Sequence, residues 1–593
     1  MSGDTARRRG RRFRPVLVVS AVVLAVLLAA SAWVVVRAVL VKNELEALVP
    51  VVGELQEAAS SRDVSRLEDI SATVGEHSER AASLTSDPVW RLAEALPAIG
   101  PNLTAVRVVA DQLVILDRSA VHPLVDLMGS LGSGPEQAAG GFDLALAADA
   151  QAPLAKAANA LHHAADTFGA LPRASLIRQV RDAVDKLDES TTASAPIVGG
   201  LARAASVLPP LLGADGPRTI LVMLQNNAEL RTGGGITGAY VLLRAEGGRI
   251  SMVQQADSGQ FAPSGTDIVP IPESTTQLYG DVIGRFVQNA TATSDFALSA
   301  GLASTWWQEK FGVTPDAVLS IDPLVLKSLL AVTGPVTLPD GSQLSSDNLV
   351  QRLLIDPYLT LDPVQQTAFL QAVTGAVFSQ LLASPDVLNW AEALAAPVEQ
   401  GRVSVWSAHP AEQALIDGTA IAGPLARHAD AGDDAFAVYF NDVTGGKMDV
   451  FLDVSMTVGT ADCRSDGRRD VSIVVTMGSR APADAAASLP FSVTGGGLLG
   501  TGNGDIGTIV TVAAPPGWFY GGVWKNGEPE VSTNVVDNGH PSTGARVNLS
   551  PGETNTMEYR FVSAEPGAVA PTIVHTPLVD DVAISADDAT CRG

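Results

Sequence analysis

Positive charge is in short supply in this chain. Over 593 residues, 39 Lys and Arg face 64 Asp and Glu, a formal net charge of -25. Nucleic-acid binding needs a basic face to neutralise phosphates, so no nucleic-acid partner is expected. Cysteine is scarcer still: Cys463 and Cys591, both in the last quarter of the chain. In an oxidising compartment such a pair reads as one disulfide, and in a reducing one as two unpaired thiols. The sequence has no H-E-x-x-H, C-x-x-C, P-loop or G-x-S-x-G. The chemistries those motifs carry therefore find no signature here. One G-x-G-x-x-G occurs, at Gly502, Gly504 and Gly507, but a strand-like "TIVTVAAPP" follows it. Phosphate binding would need a helix N-terminus behind the turn, so a loop between strands is expected there.

What the chain has is arginine and aliphatics at its start. "ARRRGRRFR" places six arginines before residue 15, and residues 15–36, "PVLVVSAVVLAVLLAASAWVVV", carry no charge. About twenty apolar residues cross a bilayer core as a helix. The arginines hold the N-terminus in the cytoplasm by the positive-inside rule. Ala30-Ser31-Ala32 resembles a signal-peptide cleavage site, yet the run continues through Trp33 to Val36. That exceeds a usual signal core and favours an uncleaved anchor.

At this length several domains are expected. The reading is a multidomain α+β protein: basic tail 1–14, transmembrane anchor 15–37, helical stalk or bundle 38–210, central mixed α/β domain 211–430, and C-terminal β-sandwich 431–593. Leu45, Leu48, Val52 and Leu55 repeat at helical steps. Residues 132–141 read as a loop, and the neighbours His162 and His163 point to different faces of a helix, which argues against a shared metal. Past Leu208-Pro209-Pro210, "RTILVMLQ" and "ITGAYVLLRAEGGRISMVQQ" read as a strand and then a hairpin turning at Gly247-Gly248. "SDFALSAGLASTWWQEKFG", "DAVLSID" and "PLVLKSLLAVTG" follow as helix, strand and helix. Such alternation implies a layered α/β or α+β core. Of the adjacent Trp306 and Trp307, one is expected in the core and one at the surface. From Phe436 on, short strands between Gly, Pro, Asn and Asp imply a sandwich.

The densest cluster of candidate chemistry is "MLQNNAELRTGGGITGAYVLL", residues 223–243. Two asparagines, an acid, an arginine and three glycines interrupt two apolar runs. In an extended loop Glu229 and Arg231 share a side. Arg231 offers a planar fork of donors suited to phosphate or carboxylate. Gly233, Gly234 and Gly235 free the backbone to turn N–H groups toward an anion. The candidate ligand-binding residues are Asn226, Glu229, Arg231, Gly233 and Gly234, joined by Asp257 at the end of the hairpin. The alternative is a structural knot in which Glu229 pairs with Arg231 and the glycines only bend the chain. Asp322, followed by Pro323, and Asp295 read as helix N-caps.

"LQNNAELRTGGGITGAYVLL" resembles the signature of the bacterial domain of unknown function 4012 family, as do "DPVWRLAEALPAIGPNL", "TPDAVLSIDPLVLKSLLAVTGPV", "VSVWSAHPAEQ" and "GGKMDVFLDV". The resemblance covers most of the chain after the anchor and implies an envelope location. A strand ending in Asp, then a helix running into "TGPVTL", resembles part of the LytR-CpsA-Psr phosphotransferase fold, which implies arginines on a pyrophosphate and aspartates on a divalent metal. Here Mg²⁺ would fall to Asp257 or Asp322, although no arginine–aspartate pair of that pattern is present.

The expected function is binding of an anionic or polyprenyl-linked envelope ligand by an extracytoplasmic, membrane-anchored protein. The alternatives are a metal-dependent phosphotransferase that attaches glycopolymers to the cell wall, and a non-catalytic structural or adhesive scaffold. The anchor makes the first test: protease added to intact spheroplasts digests the bulk of the chain together with a C-terminal tag. A protected tag would reverse the topology.

Overall fold

The structure, a computed structural model, describes residues 13–61, 63–97, 99–133, 141–383, 387–589 and 591. Most of the basic tail, and residues 134–140 of the expected 132–141 loop, lie outside the described residues. The chain divides into two compact units, one of residues 1–136 and 145–208, the other of residues 137–144 and 209–593.

The first unit is helical: α1 (Phe13–Ala47), α2 (Val49–Ser61), α3 (Val64–Thr85), α4 (Pro88–Ala93), α5 (Gly100–Leu116), α6 (His122–Ser133), α7 (Leu144–Gly169) and most of α8 (Arg178–Leu211). Helix α6 thus takes up the start of the expected loop. Within α1, Val18–Ala47 is long and apolar enough to cross a membrane. Farther on, α1 packs: Val41 is buried with Ala81 of α3 and Ala110 of α5. Helix α4 starts where a cap and a proline coincide. The Asp87 carboxylate accepts from the N–H of Val89 at 2.8 Å, and Pro88 opens the helix with a preset φ.

The second unit begins with a five-stranded sheet. Its strands are β1 (Arg218–Asn226), β2 (Ile236–Glu246), β3 (Arg249–Asp257), β4 (Ala317–Ile321) and, beyond a two-residue ladder of β5 (Val336–Thr337) with β6 (Gln343–Leu344), β7 (Val403–Ser407). The order is β3-β2-β1-β4-β7, with only β1 and β4 parallel. Alternate β1 residues serve two cores. Leu221 and Met223 join the aromatic core on one face, and Val222 joins an aliphatic core on the other. Helices α9 (Glu273–Tyr279) and α10 (Phe296–Phe311) belong to the first core. The second takes in α11 (Pro323–Thr333), lies near the short α12 (Asp356–Thr360), and includes α13 (Pro363–Ala383) and α14 (Val387–Glu399).

Trp306 and Trp307 depart from expectation: both are buried. Neighbours on a helix stand about 100° apart, and α10 is enclosed over a wider arc than that. Trp307 stacks on Phe311 at 4.4 Å and neighbours Tyr240 of β2.

The remaining strands, β8 (Ala435–Asp442), β9 (Leu452–Ala461), β10 (Asp470–Ser479), β11 (Ile506–Ala513), β12 (Phe519–Lys525), β13 (Glu528–Pro529), β14 (Thr533–Asp537), β15 (His540–Leu549), β16 (Thr554–Val562), β17 (Thr572–His575) and β18 (Ala583–Asp588), form two sheets. Their orders are β14-β15-β11-β8-β17 and β13-β12-β16-β10-β9-β18. Phe436, Val438 and Phe440 from one sheet and Ile473, Val475 and Met477 from the other share a single core. The glycine motif at 502–507 leads into β11, not into a helix.

Cys463 and Cys591 form a disulfide with Cα atoms 5.4 Å apart. It closes a loop across 128 positions, worth about 4–5 kcal/mol in the chain-entropy description. Thiol labelling of the unfolded, unreduced protein is expected to give no signal, and reduction to lower the melting temperature. Two reactive thiols would disprove the bridge.

Candidate functional site

Sheet register decides which candidate residues can meet. Strands β1 and β4 run parallel with Leu224 opposite Ile321, so both end at the same edge. Strand β2 starts there and β3 ends there, since Ala239 lies opposite Asp257. The 226–236 loop, Asp257 and Asp322 therefore share one end of the sheet. Carboxyl ends of strands are where open α/β sheets bind ligands.

A cavity of about 400 Å³ opens at that end. Asn226, Glu229, Asp257 and Asp322 all line it, together with Tyr358 and Lys447. The apolar part of the lining comes from Leu326 of α11, Leu353 and Leu354 of a π-helical turn, and Val373, Val377 and Phe378 of α13. Glu229 pairs with Lys447 at 2.9 Å, and the Lys447 ammonium sits 4.3 Å from the centre of the Tyr358 ring. Burial opposes that ammonium, but Glu229, Tyr358 and Asp442 together outweigh it and raise the lysine pKa. Asn226 donates to the Tyr358 hydroxyl at 3.3 Å and accepts from the N–H of Ala228 at 3.0 Å.

Arg231, Gly233 and Gly234 are not among the cavity-lining residues. The anticipated Glu229–Arg231 pair does not form, because the loop turns between them and sends the two side chains apart. Arg231 spends its donors on protein: Nε and one terminal nitrogen reach Asn289 Oδ1 at 3.1 and 2.9 Å, and the other terminal nitrogen reaches the carbonyls of Leu230 at 2.7 Å and Asp442 at 3.0 Å. The glycines answer to sterics. Gly234 has φ +127°, and a Cβ on Gly235 would stand 2.2 Å from the Asn226 carbonyl.

Between Asn226 and Gly235 the loop is a joint. Leu230 is buried in the core shared by the two C-terminal sheets. Its N–H donates to Asp449 Oδ2 at 2.7 Å, and its carbonyl accepts from Asp442 N–H at 2.8 Å. Burial, and then the nearby Asp442, hold the Asp449 carboxyl well above the usual range. Asn227 donates to Asp322 Oδ2 and to the carbonyl of Pro577, each at 3.1 Å.

Asp322 caps α11 through the N–H groups of Leu324 and Val325 at 2.9 and 3.1 Å, as its place before a proline implied. Its other oxygen binds Arg402 at 2.7 Å, a pair with side chains 4% and 1% exposed. Both oxygens of Asp322 are thus engaged, and Asp257 accepts from Gln260 at 2.9 Å. Among the described residues no group of three or more His, Cys, Asp or Glu gathers as a metal set. The residues present do not fit the Mg²⁺ site that the phosphotransferase resemblance implied.

Sequence reasoning missed Lys447, Tyr358, Arg402, Asp442 and Asp449. Lys447 carried one signal: it is a rare lysine between Gly446 and Met448 in a motif already singled out. Tyr358 and Arg402 stand in ordinary helical and strand surroundings and carried none.

The joint predicts a stability effect. Arg231→Lys keeps the charge but loses the fork, and should cost about 1.5–3 kcal/mol, the worth of hydrogen bonds to a charged group. Arg402→Met strands Asp322 as a buried lone charge and should cost about 3–5 kcal/mol. Thermal and urea melts check both; wild-type stability in Arg231→Lys would restore the reading of Arg231 as a ligand arginine.

No curated protein matches the chain. Among solved structures it is similar to the Lin1025 protein from Listeria innocua, with 12% identity over 32% of this chain and 72% of that one, at a TM-score of 0.21. A family model described as "Protein of unknown function (DUF4012)" matches residues 215–358, a narrower stretch than the resembling motifs span. That stretch runs from just before β1 to Tyr358 and includes Asn226, Glu229, Asp257 and Asp322. Over residues 215–358 the chain carries the DUF4012 domain.

Proposed function

We propose that this is a single-pass, extracytoplasmic envelope protein that uses the cavity at the end of the central sheet to hold a lipid-linked envelope ligand. The observation that carries the reading is the cavity's lining, which combines a large apolar set with a few polar side chains. The apolar set from α11, the π-helical turn and α13 suits one prenyl or acyl chain. The polar part of the lining offers Asn226, Glu229, Tyr358 and Lys447 to a polar head. Two acidic side chains, Glu229 and Asp257, stand against one lysine, Lys447, in that lining, while Asp322 is already paired with Arg402. The lining therefore disfavours a multiply charged pyrophosphate and suits a hydroxyl-rich head such as the first sugar of a lipid-linked glycan. The anionic ligand anticipated from Arg231 gives way to this one, because Arg231 is spent inside the protein. The disulfide supports an oxidising compartment, and the arginine-flanked apolar helix supports the anchor.

A second reading, the structural scaffold, draws support from the same Arg231, whose hydrogen bonds all serve the fold. The two readings part on ligand binding. Calorimetry with a short prenyl glucoside, the matching prenyl phosphate and the free prenyl alcohol, on the full chain in detergent, is expected to rank the glucoside first. Thr374→Trp narrows the cavity from a half-buried position on α13 and should lower glucoside affinity by about tenfold or more, 1.4 kcal/mol, while the melt stays near wild type. Failure of all three compounds to bind would leave the scaffold.

A further inference from the structure

The point where α1 leaves its apolar run is built into a corner. Arg37 is the first charge after that run. Twenty residues at 1.5 Å each cover the ~30 Å hydrocarbon core, which sets Trp33 and Arg37 at the boundary between hydrocarbon and headgroups. Asp87, the cap of α4, is fastened to this level. The Trp33 indole N–H donates to Asp87 Oδ1 at 3.3 Å, Arg37 pairs with Asp87 Oδ2 at 3.4 Å, and Arg37 also donates to the carbonyl of Leu84 at 2.7 Å. Trp90, fully buried against Val34 and Leu103, clamps the helix to α1.

From that fixed point the chain turns large aliphatics outward. Leu92 is 75% exposed, Leu96 51% and Ile99 48%. The one acid of the segment, Glu94, is turned inward and held by Arg107 at 2.7 and 3.3 Å. Arg91 is the exposed charge that remains. An apolar edge with its acid withdrawn and a cation at its side is the composition of a segment lying in a membrane interface. The same edge would be a liability in water.

We propose that residues 88–99 insert into the bilayer leaflet at the C-terminal end of the α1 span, with Leu92, Leu96 and Ile99 among the acyl chains and Arg91 beside lipid phosphate. The occupant of this edge is lipid because it is continuous, through Trp33 and Asp87, with the helix that crosses the membrane. The segment gives the first unit a second foothold beside α1 and so restrains its tilt at the membrane surface. The inference rests on the anchored reading of α1.

The test uses the full chain in phosphatidylglycerol–phosphatidylethanolamine vesicles. Both native cysteines are bonded, so one introduced cysteine is the sole labelling site. An environment-sensitive fluorophore is placed by Leu96→Cys, with Val26→Cys as the reference within the span and Arg178→Cys as the aqueous reference. Lipids spin-labelled near the headgroup should quench the label at 96 by roughly half or more, as an insertion depth of ~5–10 Å implies, and leave 178 bright. Leu92→Ser with Ile99→Ser should release the label at 96 from the quencher. Deep spin labels quenching 26 while 96 stays bright would overturn the foothold alone. Both positions bright would overturn the anchor. A label at 96 that is shielded but unquenched, with dimer crosslinks through that residue, would replace lipid with a second copy of the chain.

Discussion

One aliphatic side chain decides how the second unit is put together. Leu230 sits on a loop of the central sheet, yet its side chain is part of the core of strands more than two hundred positions further on. A leucine in that position brings its peptide groups with it, and buried N–H and C=O groups must be paired. Asp449 takes the N–H and Asp442 the carbonyl. Arg231 then spans from that same carbonyl to Asn289. The polar crowd in "NNAELRTGGG" is the escort of one buried leucine, and only its outer members, Asn226 and Glu229, face a cavity.

This explains what was legible in advance. Strands, helices and caps were readable because local physics sets them: β-branched runs for β1 and β2, Asp before Pro for α11 and α4. The convergence of Asn226, Asp257 and Asp322 was partly readable, since all three close strands of one sheet. Partners were not. Glu229 and Arg231 are two residues apart, and sequence spacing suggests they meet. The structure gives Glu229 to Lys447 and Arg231 to Asn289, contacts across 218 and 58 positions. Nothing in a local window encodes which distant group fills a donor's valence. The buried Trp306 and Trp307 teach a related lesson, because periodicity describes a helix with one wet face and α10 has little of one.

The balance of charge within the second unit follows a single pattern. The deeply buried Arg402 and Asp322 neutralise each other, so that this pair adds no net charge to the interior. Asp442 and Asp449 take the other route, with burial raising both carboxyls toward the neutral form. Lys447 and Glu229 are set at the cavity wall, where a ligand's polar atoms would meet them.

The carbonyls of Pro577 and Leu578 accept from Asn227 and Arg402, two of the most enclosed donors in the unit. Those carbonyls lie 350 and 176 positions beyond their donors. A chain made from its N-terminus therefore synthesises the strands of the central sheet before the acceptors at 577 and 578. Domains generally fold as units during synthesis; here the Asn227 amide and the Arg402 guanidinium keep their bonds to Asp322 but lack these carbonyl partners until residues 577 and 578 have emerged. The 577–578 segment thus acts as a late clasp: a chain that stops before it leaves one donor of Asn227 and one of Arg402 without its acceptor.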